Sequence, residues 1–97
     1  MYAVIFSATI NRLDDDYEQR VQRLNELAFS QYNCIDTLST TENGREITIS
    51  YWHSLDDIQK WKQDAEHIQA QTLGRLHWYS EYEVQIVEVL REYKHTN

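Results

Sequence analysis

The dipeptide Asn43-Gly44 constrains this chain more than any other feature. It separates the threonine-rich run Cys34 to Glu42 from the strictly alternating run Arg45-Glu46-Ile47-Thr48-Ile49-Ser50-Tyr51-Trp52. Both residues tolerate the positive φ that a two-residue type I′ turn requires, so the pattern predicts a β-hairpin with one strand on each side. The segments around this hairpin then limit the fold. Tyr2 to Ile10 is short, apolar and β-rich, and reads as a first strand with both faces at least partly covered. A helix follows, with Asp14 as N-cap, Asp15 and Asp16 at the positive end of its dipole, and Tyr17, Val21, Leu24 and Ala28 at helical spacing. Arg20 and Arg23 belong to its solvated, charged side.

Beyond the hairpin, Ser54-Leu55-Asp56-Asp57 has the form of a capping box. It opens a second helix with the stripe Leu55, Ile58, Trp61, Ala65 and Ile68, running to about His67 or beyond. Gly74 interrupts the pattern, and a short helical turn or irregular segment carries Arg75 to Tyr79. The last strand is expected over Tyr82 to Tyr93. Its apolar phase changes between Val84/Ile86 and Val87/Val89, which predicts either a bulge near Ile86 or burial of both faces. The order β-α-β-β-α-β describes a ferredoxin-like α+β fold with an antiparallel four-stranded sheet, as one domain over residues 1–97. Two helices cover only one face of such a sheet, whereas strand 1 carries apolar residues on both sides. A face-to-face homodimer is therefore expected.

Composition narrows the partners. Sixteen acidic residues against nine basic ones, with no basic cluster, leave no surface for nucleic acid. No segment approaches the ~20 apolar residues of a membrane span, and no signal-peptide pattern stands at the N-terminus, so a cytoplasmic protein without membrane contact is expected. The single cysteine, Cys34, has no partner for an internal disulfide and reads as a small buried residue.

All three tryptophans and three of the four histidines fall between Tyr51 and Tyr79. Amphipathic aromatics interleaved with imidazoles and an arginine suit a pocket for a flat organic ligand, and they suit ordinary packing equally well. Trp52 reads as packing or a dimer contact, while Trp61 reads as either a core residue or a pocket wall. His67 is exposed if the second helix is straight. If the helix breaks, it can turn inward as a general base or haem ligand. Arg75 has three readings: stacking on Trp78, pairing with a ligand's anionic oxygen, or a salt bridge to Glu66 or Glu81. His53 and His77 lack partners at metal-ligand spacing, so no metal site is expected.

With Ser50-Tyr51-Trp52, Trp61, Glu66-His67, Ala70-Gln71, Gly74-Arg75 and Trp78-Tyr79 in this order, the chain resembles the antibiotic biosynthesis monooxygenase (ABM) family over nearly its whole length. It is most similar to the small stand-alone bacterial members. The resemblance implies a dimeric α/β barrel, two ferredoxin-like subunits packed sheet to sheet, each with a pocket between sheet and helices. The haem-degrading branch carries an Asn on strand 1, a Trp on the second main helix and an iron-ligating His ten residues later. Here Trp61 matches, but Ser7 and Gln71 stand at the other two positions, so haem degradation is disfavoured and haem stays only an alternative ligand. The cofactor-independent branch implies oxidation of a quinol-like aromatic small molecule by O2. His67 would then be the base, Arg75 the anion stabiliser, and Trp61, Trp78 and Tyr79 the substrate-binding walls. The alternative is a non-catalytic dimeric module that binds a small molecule or serves in stress.

Overall fold

In the computed structural model, which describes Met1–Asn97, the hairpin forms as the sequence predicts. Asn43 (φ 52°) and Gly44 (φ 77°) both adopt the left-handed conformation between β2 (Cys34–Glu42) and β3 (Arg45–Trp52). β3 pairs antiparallel with β1 (Tyr2–Ile10), which pairs antiparallel with β4 (Tyr79–Glu88), so the sheet order is β2-β3-β1-β4. Helix α1 (Asp15–Gln31) begins where Asp14 accepts a hydrogen bond from the Asp16 amide, and α2 (Leu55–Gln63) where the Ser54 hydroxyl accepts from the Asp57 amide. Both capping residues are those expected from the sequence. The result is a ferredoxin-like α+β fold.

Two elements, the second helix and the last strand, differ from expectation, while the turn after Gly74 takes a specific form. The expected second helix is two helices, α2 and α3 (Ala65–Leu73), separated at Asp64, whose extended backbone (φ −58°, ψ 136°) cannot continue a helix. Between α3 and β4, Gly74–Trp78 forms one π-helical turn. β4 starts at Tyr79 and ends at Glu88 rather than spanning Tyr82 to Tyr93, and its register irregularity lies at its start, opposite Thr9 and Ile10, not near Ile86. Past Glu88, the Val89 amide donates to the Met1 carbonyl at 2.9 Å, and Leu90 and Tyr93 are exposed.

The pairing register assigns the alternating residues of β3 to faces, and the assignment inverts the usual expectation. Trp52 faces the helices, so Ser50, Thr48 and Glu46 share its side, while Tyr51, Ile49 and Ile47 point away. Thr37 and Ser39 of β2 extend the polar, helix-facing set, and Ile5 and Leu38 extend the apolar outer one. On β4 the outer positions are Glu81, Glu83, Gln85 and Val87, so the outer apolar surface comes chiefly from β1, β2 and β3. Leu38 and Ile47 are exposed there, and no helix covers them.

Beside the polar strip the true core is small. Val4, Ala28, Cys34, Trp52 and Ile58 form one buried cluster, flanked by Tyr2, Tyr32, Trp61 and Val84. Trp52 is completely buried, and its indole N–H donates to the buried Ser50 hydroxyl at 2.9 Å. This tryptophan is therefore a packing residue. Trp52→Ala is expected to cost about 3 to 5 kcal/mol, because it empties the centre of a small core and strands Ser50. Urea denaturation checks this, and a loss below about 1 kcal/mol would mean that the core does not depend on Trp52.

Candidate active site

Between the sheet and its helices, beside the polar strip of β3, lies a cavity of about 340 Å³. Val4, Phe6, Glu46, Thr48 and Val84 of the sheet line it from below; Tyr17, Val21 and Leu24 of α1 and Trp61 and Lys62 of α2 line it from above. The cavity is large enough for a small aromatic molecule.

The break at Asp64 determines what α3 contributes. The Asp64 side chain caps α3 by accepting from the Glu66 amide at 2.8 Å, and its other oxygen accepts from the Tyr32 hydroxyl at 2.6 Å. That second bond holds the Asp64 carboxyl below the usual carboxylate range and raises the Tyr32 phenol. Helix α3 then starts in a new phase, and His67, Ala70, Gln71 and Gly74, at helical spacing, all line the cavity. The His67 ring stacks on Trp61 with centroids 4.2 Å apart and planes 26° apart, and its Nδ1 lies 3.5 Å from the Lys62 carbonyl. Burial lowers its pKa below the ordinary imidazole value, favouring the neutral ring.

The π-helical turn sorts the residues after Gly74. The Tyr79 amide reaches back to the Gly74 carbonyl, and this wide turn leaves Gly74 and Trp78 buried while Arg75, Leu76 and His77 face outward. Glycine suits position 74 by close approach, since a Cβ there would lie 3.1 Å from the Tyr79 ring, which would have to shift by a few tenths of an ångström. Trp78 is 2% exposed and meets Tyr17 edge-on at 5.1 Å. Tyr79 packs edge-on against Phe6 at 5.3 Å. Among the residues expected at the site, His67, Trp61, Trp78 and Tyr79 therefore line one cavity. Arg75 does not. It is exposed, its one side-chain partner is the Thr72 hydroxyl at 3.5 Å, and it neither stacks on Trp78 nor pairs with Glu66 or Glu81. Glu66 pairs with Arg23 instead. The cation that does reach the cavity is Lys62.

Glu46 was invisible in the sequence as a site residue. It is 5% exposed, and its carboxylate accepts from the hydroxyls of both Tyr17 and Tyr79, the latter at 3.0 Å. Desolvation, reinforced by the hydrogen bond to Glu46, pushes the Tyr17 phenol up to about 12. Desolvation and the neighbouring Tyr17 raise Tyr79 as well. A glutamate in an alternating strand ordinarily marks the solvent side, and only the inverted facing of β3 brings this one inside. No group of three His, Cys, Asp or Glu side chains converges anywhere in the structure.

No protein-family model matches the chain. The uncharacterised protein YqjZ of Bacillus subtilis (strain 168) is 39% identical over 92 residues, covering 94% of this chain and 81% of YqjZ. Among solved structures, SnoaB, a cofactor-independent oxygenase from Streptomyces nogalater, superposes with a TM-score of 0.77 at 12% identity over 94% of each chain. A proposed antibiotic biosynthesis monooxygenase from Nitrosomonas europaea superposes with a TM-score of 0.73 at 14% identity, over 94% of this chain and all of that one. At such identities the likeness lies in the fold.

The environment of His67 gives a pH signature. Its native pKa lies below the ordinary imidazole value of 6.5, so between those two values the unfolded chain binds more protons than the native one. Its contribution is therefore complete above pH 6.5 and is lost as pH falls through that window. His67→Phe, which keeps a ring on Trp61, is expected to flatten this acid limb in urea denaturation followed from pH about 7 to about 5. An unchanged limb would place His67 in water.

Proposed function

Because this chain belongs to the family of Bacillus subtilis YqjZ and has the fold of the antibiotic biosynthesis monooxygenases, we propose that it oxidises a planar, quinol-like aromatic molecule with O2 in this cavity, without a cofactor. The observation that carries the reading is the His67 imidazole stacked on Trp61 at the cavity wall. Trp61, Trp78 and Tyr79 grip the substrate plane, and His67 takes a proton from its acidic O–H or C–H group. Lys62 stabilises the resulting anion, the part that Arg75 stands too far out to play. The anion passes one electron to O2, and radical and superoxide recombine as a peroxide on the ring carbon. Loss of water leaves a carbonyl there, with one oxygen atom in the product and the other in the water.

The outer face of the sheet supports a second element of the proposal, a homodimer packed sheet to sheet. Ile5, Leu38, Ile47 and Ile49 form an apolar surface with no helix over it, and a second copy covers it symmetrically. Ile47→Asp is expected to convert the dimer to monomer in sedimentation at micromolar concentration. A wild-type monomer would remove the dimer.

Oxygen consumption tests the chemistry. With anthrones and hydroquinones as probes, His67→Ala is expected to lower kcat about a hundredfold or more, the usual contribution of a positioned base. Arg75→Ala is expected to leave it within about twofold. Saturable binding of these probes without oxygen uptake would replace the oxygenase by a binding module. Loss of activity in Arg75→Ala alone would reassign the site.

A further inference from the structure

The part of the cavity beside Tyr17 and Tyr79 holds a buried carboxyl group, Glu46, that no basic side chain pairs with. The Glu46 carboxylate is 5% exposed, and none of the ion pairs in the structure includes it. Arg45, next to it in sequence, sits on the opposite face of β3 and donates to the Ser7 hydroxyl at 2.7 Å. The two groups that do reach Glu46, the hydroxyls of Tyr17 and Tyr79, are neutral donors. They occupy two of the roughly four acceptor positions of a carboxylate and leave the others open. A buried carboxylate is stabilised most by a donor of opposite charge.

Aromatic rings surround the same end. Phe6, Tyr79 and Tyr82 form a triangle with centroids 5.3, 5.7 and 6.4 Å apart, and Tyr17 and Trp78 stand beside it. All five rings line the cavity together with Glu46. Ring faces carry negative potential and attract a cation within ~6 Å. A carboxylate at the base of an aromatic wall therefore matches one kind of group best. A hydroxyl fills a lone pair but leaves the charge uncompensated, and an anion is repelled.

We propose that this end of the cavity is a recognition site for a protonated amine, with Glu46 as its ion-pair acceptor and the surrounding rings as its cation-π wall. The preferred ligand is then an arylalkylammonium, its ring held between Trp61 and Trp78 and its ammonium at Glu46. This rests on the cavity being a site for aromatic ligands, as proposed above, and not on the oxidation step.

Calorimetric titration of the whole protein with naphthylethylammonium, its neutral counterpart naphthylethanol and the anion naphthylpropionate tests the site. The amine is expected to bind about tenfold or more tightly than the alcohol, with the anion weakest. Glu46→Gln, which keeps an acceptor oxygen for a tyrosine, is expected to abolish the difference between amine and alcohol. Equal binding of amine and alcohol to the wild type would overturn the proposal, as would a preference that survives in Glu46→Gln. The wild-type series decides the matter by itself if the variant does not fold. Amine preference without oxygen uptake from any quinol would leave this site standing and remove the oxygenase. Oxygen uptake without amine preference would do the reverse.

Discussion

The interruption of the second helical segment at Asp64 determines what kind of cavity this protein has. Asp64 turns its backbone out of the helix, donates its amide to the Trp61 carbonyl at 3.1 Å, caps the next helix with one carboxylate oxygen and takes the Tyr32 hydroxyl with the other. Tyr32 is the C-terminal capping position of α1, so the break is tied to the far end of the other long helix. A cap of this type is worth about 1 kcal/mol, which is enough to select between a straight and a broken helix when the intervening residues have no strong preference. Everything α3 brings to the cavity follows from that phase change. On an uninterrupted helix, His67 would have continued the outward side.

The second constraint is the facing of β3. With Glu46, Thr48 and Ser50 turned toward the helices, β3 brings a polar strip into a layer otherwise lined largely by apolar side chains. Trp52 closes one end of the layer, with Ser50 satisfying its indole, and the Tyr17-Glu46-Tyr79 group closes the other by joining α1, β3 and β4. Between these two ends lies the cavity. The same facing puts the isoleucines of β3 on the outside, so the polar inner side and the apolar outer side of this strand arise from a single alternation.

Much of the fold was legible in the sequence. Asn43-Gly44 named its turn, Asp14 and Ser54 named their caps, and the order of elements followed. Two site features were not legible, for separate reasons. Gln63-Asp64-Ala65 contains neither glycine nor proline, and the one sign of a break was an aspartate with a glutamate two residues on, a pattern also common on solvated helix faces. The alternation of β3 showed that its two faces differ without showing which is inside, and burial of the isoleucines is the ordinary solution. Arg75 was misplaced for a third reason: the π-helical turn rotates it outward, and Gly74 signals a close approach without specifying the width of the turn that follows.

Four histidines give a direct reading of whether the break turns His67 onto a bound ring. His53, His77 and His95 are exposed, and His67 alone lines the cavity. An already oxidised planar probe such as a hydroxyanthraquinone, titrated into the protein while the imidazole carbon-bound protons are followed by NMR, separates them through the ring current of the ligand. The expected result is a saturable shift of the His67 resonances, with the other three unmoved. Saturable binding of the probe with His67 unmoved would contradict the placement of His67 in the ligand cavity.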